Sequence, residues 1–274
     1  MPKVLTEVQI AQYKELGFVT PIRAISEAEA LQCRLNLEAF EAESGRSAVE
    51  TLNQKGHLYF DWLWKLCHNP RIVGAVEDLI GPDIMVMASR FWIKEARDRK
   101  FVGWHQDMAY FGLEPPVLIT MWLALTEVTR ENGCMHFIPG SHKGPKHFHT
   151  ETENEDSLLS RRQEIRGLDT SDMIEVLLHA GEFSLHDGEL LHNSDRNLSD
   201  DRRIGFALMV FPTSVRSTQG RRSMTLLNGV DRYNHFDHDP EPRMDRDPAI
   251  WELMQEATRR YHDPAIKQEA LAAK

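Results

Sequence analysis

The sequence predicts a mainly β protein, an antiparallel sandwich or barrel with helices before and after it. From about residue 84 onward, short apolar runs rich in β-branched and aromatic residues follow one another, as in IMVMASRFWI (84–93), VLITMWLALTEV (117–128) and RIGFALMVF (203–211). Turn signals such as ENG, PGSHKGP and HDGE separate these runs. The runs lie too close together for a crossover helix between each pair, which favours antiparallel over parallel pairing.

Helices are predicted at both ends of the chain. TEVQ (6–9) and SEAE (26–29) have the form in which a hydroxyl caps a helix start and the residue three positions later caps back. RIVGAVEDLIG (71–81) predicts a third helix that ends at Gly81, and DPAIWELMQEATRRYHDP (247–264) predicts an amphipathic one.

The chain is predicted to form a single domain over residues 1–274, because no repeat, low-complexity tract or linker divides it. Residues 1–82 are expected to be mainly helical support, 83–235 the β core, and 236–274 a C-terminal loop and helix. The acidic, serine-rich segment TETENEDSLLSRRQE (150–164) is expected to be a solvated loop.

Composition favours a small-molecule partner in the cytoplasm. The net charge of −10 argues against nucleic acid and anionic membranes, which require a basic surface. The first residues lack the apolar core of a signal peptide, and no stretch approaches the roughly 20 apolar residues of a membrane span. The three cysteines are widely spaced and form no zinc motif, which is typical of a reducing compartment. The sequence leaves the oligomeric state open.

Two polar residues interrupt the aromatic stretch GWHQDMAYFG (103–112). If this stretch is a strand, His105 and Asp107 point to the same side, where an imidazole and a carboxylate can bind a divalent metal. A solvated strand face or a hydrogen-bonded pair gives the same pattern. His192 follows an apolar ELL and precedes a polar loop, so it is a third candidate. Two histidines and one carboxylate form the facial triad of non-haem Fe(II) oxygenases.

The ordered set of motifs resembles the phytanoyl-CoA dioxygenase family of Fe(II)- and 2-oxoglutarate-dependent oxygenases. The matching pieces are HQD (105–107), WLALTEVTRENGCMHFIPGSHK (122–143), and His192 followed by Ser194 and Arg203. The resemblance covers most of the chain and implies a double-stranded β-helix, that is, a cupin-like jelly roll. It also implies Fe(II) as the metal and 2-oxoglutarate and O₂ as cosubstrates.

The resemblance also implies roles for individual residues. His105, Asp107 and His192 are implied as the iron ligands. Arg203 is implied as the partner of the distal carboxylate of 2-oxoglutarate, for which a guanidinium is a suitable bidentate donor. Ser194 is expected to add a hydroxyl to that carboxylate, and Trp122 to wall the pocket. Alternatively, Ser194 makes local turn bonds and Trp122 is ordinary core.

Other histidines are expected to be structural. His186 is interpreted as a residue of the HDG turn that supports the ligands without binding metal. The FIPGSHKGP loop is expected to shape the mouth of the barrel. Seven further histidines are expected to cap turns or lie at the surface: His136, His142, His147, His149, His179, His235 and His238.

The expected reaction is hydroxylation of a C–H bond with release of succinate and CO₂. VEDLIGPDIMVMASRFWIKEA (76–96) and LLNGVDRYNHF (226–236) are similar to the halogenating branch of the superfamily. Those halogenases have a small residue at the carboxylate position, whereas this chain keeps Asp107, so hydroxylation is the expected outcome. Two alternatives from other classes are a catalytically silent metal- or ligand-binding jelly roll and a jelly-roll metal enzyme of another reaction type.

A small polar metabolite is the expected substrate, either amino-acid-like, aminophosphonate-like or a natural-product intermediate. The alternative substrate is a long acyl-CoA. An anionic head group could be recognised by one or more of a set of polar and cationic side chains, each of which is more often a solvated surface residue: Asn53, Lys55, His57, Arg90, Lys94, Arg216 and Arg243.

Overall fold

The computed structural model describes residues 2–159 and 162–262 of the chain. Its helices are α1 (Glu7–Leu16), α2 (Glu27–Ser44), α3 (Ala48–Thr51), α4 (Asp61–Cys67), α5 (Pro70–Ile80) and α6 (Pro248–His262). The predicted caps are present: Thr6 and Ser26 each form a capping box, and Gly81 follows α5. The predicted C-terminal helix is confirmed up to His262, and its last two residues lie outside the described part of the chain.

Fifteen strands occur in the described residues. They are β1 (Phe18–Arg23), β2 (Ile84–Lys94), β3 (Val102–His105), β4 (Leu113–Glu114), β5 (Ile119–Ala124), β6 (Met135–Phe137), β7 (Thr150–Glu151), β8 (Gln163–Glu164), β9 (Ile174–Val176), β10 (Glu182–Asp187), β11 (His192–Ser194), β12 (Arg203–Pro212), β13 (Arg216–Ser217), β14 (Ser223–Asn228) and β15 (Asp237–His238). The predicted β core is confirmed.

Two sheets form the jelly roll. The larger has the order β1-β10-β5-β12-β2-β14-β15, and the smaller has the order β3-β11-β6-β9. Neighbouring strands are antiparallel apart from the β14–β15 pair, as the close spacing of the apolar runs predicts. Strands distant in sequence become neighbours, and this brings residues from strands of both sheets into the space between them.

The two faces of the large sheet bury different side chains. Helices α2 and α5 cover the outer face, where Leu37 and Ile72 pack with Phe91 and Phe206 in the largest apolar cluster. The inner face turns toward the small sheet, and there Trp122 of β5 packs in a second cluster with residues of β6 and β9. Because residues two apart on a strand share a face, this division sorts the long apolar strands into an outer and an inner set.

One local expectation, the solvated loop, needs correction, and two strands were not indicated by the sequence. The N-terminal section contains the strand β1, which pairs with β10 at the edge of the large sheet. The segment 150–164 is more than a solvated loop, because its ends pair as β7 and β8 and because Leu159 and Gln163 are buried. β14 pairs with β2 and extends the large sheet, although no apolar run signalled it. None of the helices among the described residues is long and apolar enough to cross a membrane.

Candidate metal centre

His105 and His192 lie opposite each other on neighbouring strands. His105 is the last residue of β3, His192 is the first residue of β11, and the two are direct partners in the register. Their ring centroids are 4.0 Å apart. The sequence suggested that Asp107 lies on the same strand as His105. In the structure Asp107 instead begins a 3₁₀ turn over Asp107–Tyr110. The turn brings its carboxylate back toward both imidazoles.

The three side chains offer their ligand atoms to one point. One ligand atom from each of His105, Asp107 and His192 lies within 4.8 Å of the others, and all three residues are buried. His105 Nε2 is 3.4 Å, and His192 Nε2 3.9 Å, from Oδ1 of Asp107. This geometry brings together the three residues that the sequence singled out.

Hydrogen bonds on the far side of each ring determine which nitrogen carries the proton. Nδ1 of His105 donates to the carbonyl of Gly103 at 2.9 Å, and Nδ1 of His192 donates to that of Leu190 at 2.9 Å. Since a carbonyl only accepts, Nδ1 carries the proton and Nε2 keeps its lone pair toward Asp107. Burial, and then the neighbouring His105, lower the pKa of His192 well below its usual value. A neutral imidazole of this tautomer is a metal ligand.

Thr120 and His186 hold the carboxylate of Asp107 from the other side. Thr120 Oγ1 donates to Oδ2 at 2.6 Å, and Nε2 of His186 is 3.6 Å from the same oxygen. Burial by itself would raise the pKa of Asp107, but the neighbouring imidazoles, His192 first, hold it well below its usual value. The carboxylate is therefore ionised, and Oδ1 remains directed at the two histidines.

Arg203 is an almost fully buried cation in the same cavity. It is 1% exposed, and it begins β12. Its Nη1 donates to the carbonyl of Gly133 at 2.6 Å, and its Nε is buried with no hydrogen-bond partner. Among the described residues no carboxylate lies within ion-pair distance of this guanidinium. Burial lowers the pKa of Arg203 to about 10, so it is still charged at neutral pH.

Ser194 also lines the cavity, and its hydroxyl is oriented by Lys94. Nζ of Lys94 donates to Oγ of Ser194 at 2.7 Å. Because this oxygen already accepts from Nζ of Lys94, its own proton is available to an acceptor in the cavity. Burial, and then the charge of Arg203, lower the pKa of Lys94 to about 6.

Trp122 lies against Arg203, and a glycine makes room for it. The Arg203 guanidinium carbon is 5.1 Å from the centre of the Trp122 ring. On the neighbouring strand, a Cβ at Gly205 would lie 1.9 Å from that ring, so any other residue there would displace the indole. Trp122 is thus both core and cavity wall.

These residues line one cavity between the two sheets. Sequence reasoning missed six residues of its lining: Trp92, Val102, Thr120, Met135, Asn193 and Met209. Thr120 is two residues from Trp122 on the strand ITMWLA, so a polar residue on the inward face was a usable signal. The full lining is Trp92, Val102, His105, Asp107, Thr120, Trp122, Met135, His186, His192, Asn193, Ser194, Arg203 and Met209.

Several histidine expectations change. His186 lies on β10, not in a turn, although its position beside Asp107 fits a supporting role. His136 is buried in β6 with its Nδ1 2.9 Å from Oδ1 of Asn193, so the surface expectation for it is wrong. The ring of His149 accepts a hydrogen bond from the backbone of Gln106, beside the ligands. The others expected at turns or the surface are half-buried or exposed: His142, His147, His179, His235 and His238.

The seven candidate substrate residues separate in the structure. Lys94 lies beside Arg203, and Lys55 and His57 form a buried polar network with Asp239. Arg90 is two residues from Trp92 on β2, so it shares the inward face of that strand, and its guanidinium lies over the Trp92 ring at 4.6 Å. Arg216 is paired with Glu114, Arg243 is exposed, and Asn53 bonds to the backbone of its neighbour.

A jelly roll with two histidines and a carboxylate at one point of its inner cavity has the architecture of a facial-triad metal protein. The chain belongs to the phytanoyl-CoA dioxygenase family, whose model matches residues 16–205. It is 31% identical over 157 residues to a probable alpha-ketoglutarate-dependent hypophosphite dioxygenase of Stutzerimonas stutzeri, covering 55% of this chain and 54% of that protein.

Two further similarities extend this family placement. The peroxisomal phytanoyl-CoA dioxygenase of Rattus norvegicus is 31% identical over 140 residues, which are 49% of this chain and 41% of that protein. The match thus spans about half the length of these curated relatives. A solved structure of an apo non-heme monooxygenase, ThoJ, superposes with a TM-score of 0.82 at 30% identity, covering 96% of this chain and 99% of that one.

Proposed function

We propose that this protein is an Fe(II)- and 2-oxoglutarate-dependent dioxygenase that hydroxylates an unactivated C–H bond of a small molecule and releases succinate and CO₂. The observation that carries the proposal is Arg203, a buried guanidinium without a carboxylate, in one cavity with His105, Asp107 and His192. A buried charge without a partner costs several kcal/mol, roughly 3 to 5, so a ligand carboxylate at this place is strongly favoured.

The donor set fits Fe(II). His105 and His192 supply neutral Nε2 atoms and Asp107 supplies an ionised Oδ1, which leaves three positions of an octahedral ion open. When bound, iron with its cosubstrates supplies the oxidising chemistry for C–H hydroxylation. The protein's own contributions are to orient these ligands, to keep the cavity dry through Trp122 and Met209, and to hold the substrate carbon in place.

Arg203, Ser194 and Trp122 are proposed to bind 2-oxoglutarate. The guanidinium pairs with its distal carboxylate, the Ser194 proton adds a second donor, and Trp122 packs against the chain of the molecule. A catalytically silent metal-binding jelly roll does not account for a buried Arg203 without a counterion. A metal enzyme that uses no cosubstrate does not account for it either.

A small-molecule substrate and a cytoplasmic location are part of the proposal. The relative named as a hypophosphite dioxygenase supports a small anionic substrate, and the polar metabolites expected from the sequence remain candidates beside a long acyl-CoA. Arg90 is the residue of the seven whose place on the inward face fits contact with such a substrate. Three free cysteines, Cys33, Cys67 and Cys134, fit a reducing compartment, and the acidic net charge fits the expected lack of nucleic-acid partners.

The test compares two neighbouring arginines. Arg203→Gln is expected to weaken 2-oxoglutarate binding by at least about 100-fold with little change in Fe(II) affinity. Arg202→Gln is the matched control, because Arg202 already has Glu41 and Glu95 as partners at 2.8 and 2.7 Å. Calorimetric titration of each metal-loaded variant with 2-oxoglutarate measures the two affinities. Equal weakening in both variants, or in neither, contradicts the role of Arg203.

The product identifies the reaction. Since the carboxylate of Asp107 occupies the position that chloride requires in halogenases, the wild-type protein is expected to hydroxylate in chloride and in chloride-free buffer alike. Turnover of a substrate panel under ¹⁸O₂, followed by mass spectrometry, should give a product that carries one labelled oxygen in both buffers. A product mass that depends on chloride contradicts hydroxylation.

A further inference from the structure

A second cavity lies on the inner side of the large sheet under α6. Met87, Phe111 and Met224 supply an apolar wall, and Leu253 and Ala257 of α6 close it. Arg222 and Arg260 line the same space. The cavity combines an apolar wall with Arg222, Arg260 and Lys55, and of these Lys55 has Asp239 as its counterion.

The two arginines lack counterions. Arg222 is mostly buried, its Nη2 donates to Gln219, and its Nε is buried with no hydrogen-bond partner. Arg260 donates to the backbone carbonyl of Arg221 at 2.9 Å. No carboxylate of the described residues is within ion-pair distance of either one. The carboxylate on the cavity lining, Glu256, pairs with Arg259 at 2.8 Å.

This arrangement is unusual for so acidic a chain. The sequence has 42 Asp and Glu residues against 32 Lys and Arg, so most buried cations could be given an acidic partner. Burial, and then the nearby charge of Arg260, lower the pKa of Arg222, so the two cations disfavour each other without an anion between them. An acidic ligand would remove that repulsion and supply the missing hydrogen-bond acceptor.

One apolar cluster connects this cavity with the metal centre. Met87, Phe111 and Met224 of the second cavity belong to the same buried cluster as Met209, which lines the metal cavity, and as Met108, which follows Asp107. Methionine side chains are unbranched and adapt their shape, so a ligand body can be accommodated along this cluster.

We propose that the second cavity is the recognition site for the acidic group of the substrate, and that the substrate is an organic carboxylate, phosphonate or phosphate with an apolar body. Arg222 and Arg260 bind the acidic group, and the Met and Phe side chains contact the body. The identification of the ligand as the substrate rests on the proposed oxygenase function. The evidence for the anion site itself is the cavity alone.

The experiment uses phenylphosphonate as the probe, with benzyl alcohol and benzylamine as its neutral and cationic counterparts. Calorimetric titrations are made with Ni(II)-loaded protein at saturating 2-oxoglutarate, so that Arg203 is already occupied. Wild-type protein and Arg216→Gln, a control arginine at the surface paired with Glu114, are expected to bind phenylphosphonate equally. Arg222→Gln and Arg260→Gln are each expected to bind it at least 10-fold more weakly and to bind 2-oxoglutarate as the wild type does.

Two results overturn the proposal. One is equal phenylphosphonate affinity in Arg222→Gln, Arg260→Gln and the control, and the other is benzylamine binding as tight as phenylphosphonate binding. If Arg222→Gln does not fold, the phenylphosphonate affinity of Arg260→Gln tests the proposal. This variant is expected to fold, because Arg260 is only half-buried near the end of α6. Wild-type protein that fails to bind 2-oxoglutarate, yet binds the probe through Arg222, would refute the oxygenase function and leave the anion site standing.

Discussion

Two buried polar clusters in this protein differ in how their hydrogen bonds are satisfied. In the first, the metal centre, Nε of Arg203 and both ring nitrogens of His186 have no hydrogen-bond partner. In the second, Lys55 donates to Asp239 at 2.5 Å, and Thr225 donates to the same carboxylate oxygen at 2.7 Å. The second cluster is called the Lys55 network below and includes His57 and Ser89.

The Lys55 network is nearly complete within the protein. Because Thr225 donates to Asp239, its oxygen accepts from Nε2 of His57 at 2.8 Å, and Nδ1 of His57 accepts from Ser89 at 2.9 Å. A satisfied buried network stabilises one structure, whereas unsatisfied groups that face a shared cavity indicate a ligand. The comparison therefore separates a structural cluster from a functional one without reference to any relative.

The largest expected effect is on metal binding by His192→Ala. Loss of an outer-shell partner already weakens metal affinity by about 10- to 100-fold, so loss of a ligand should cost at least about 100-fold and abolish turnover. The free energy of unfolding of the metal-free protein should change little. Fe(II) titration and chemical denaturation measure the two quantities. His186→Ala serves as the control and should weaken Fe(II) binding less than His192→Ala does, because His186 only supports Asp107; the reverse order would mean that His186 is the ligand.

Asp239→Asn should show the opposite pattern to His192→Ala, a loss of stability without a loss of metal binding. It removes the anion from a buried pair with Lys55, and breaking such a pair costs about 3 to 5 kcal/mol of unfolding free energy. Metal affinity should be unchanged. The control is Asp237→Asn, because Asp237 is only two residues away, on β15, with its side chain 62% exposed beside Arg221. Equal stability of the two variants in urea denaturation would contradict a structural role for the network.

Stability should fall in acid because of His57. Burial, and then the charge of Lys55, lower the pKa of His57 to about 3 from 6.5. Below pH 6.5 the unfolded chain takes up a proton that the folded protein refuses until about pH 3. Unfolding is therefore favoured as the pH falls, by about 2 kcal/mol at pH 5. Urea denaturation between pH 8 and pH 5 measures this loss, and His57→Gln should make it smaller. An identical pH dependence in both proteins contradicts the assignment.

The smallest expected effects compare two matched threonines. Thr120 and Thr225 are both buried, and each donates to a buried carboxylate. Thr120→Val should weaken Fe(II) binding by about tenfold, because it frees Asp107, with a small change in stability. Thr225→Val should lower the unfolding free energy by about 1 to 3 kcal/mol and leave Fe(II) binding intact. If both variants lose the same property, the two clusters are not functionally distinct.

The sequence was sufficient to predict those parts of the fold whose signals are local. Short apolar runs separated by turns predict the antiparallel core, and the caps at Thr6 and Ser26 predict helix starts. Prediction from sequence failed for elements whose structure depends on partners distant along the chain. β1 and β14 are stabilised by pairing with β10 and β2, and His136 is buried because β6 lies between two strands of the small sheet.

By itself the sequence determined the fold class, the family and the residue types of the metal centre. The tertiary structure decided how two of the thirteen histidines converge, since β3 and β11 place His105 and His192 in register although 87 positions separate them. It also decided that Arg203 lacks a carboxylate and that Lys55 has one. Such pairings depend on distances between strands remote in sequence, and burial gives them their energy by removing the water that would otherwise solvate each charge.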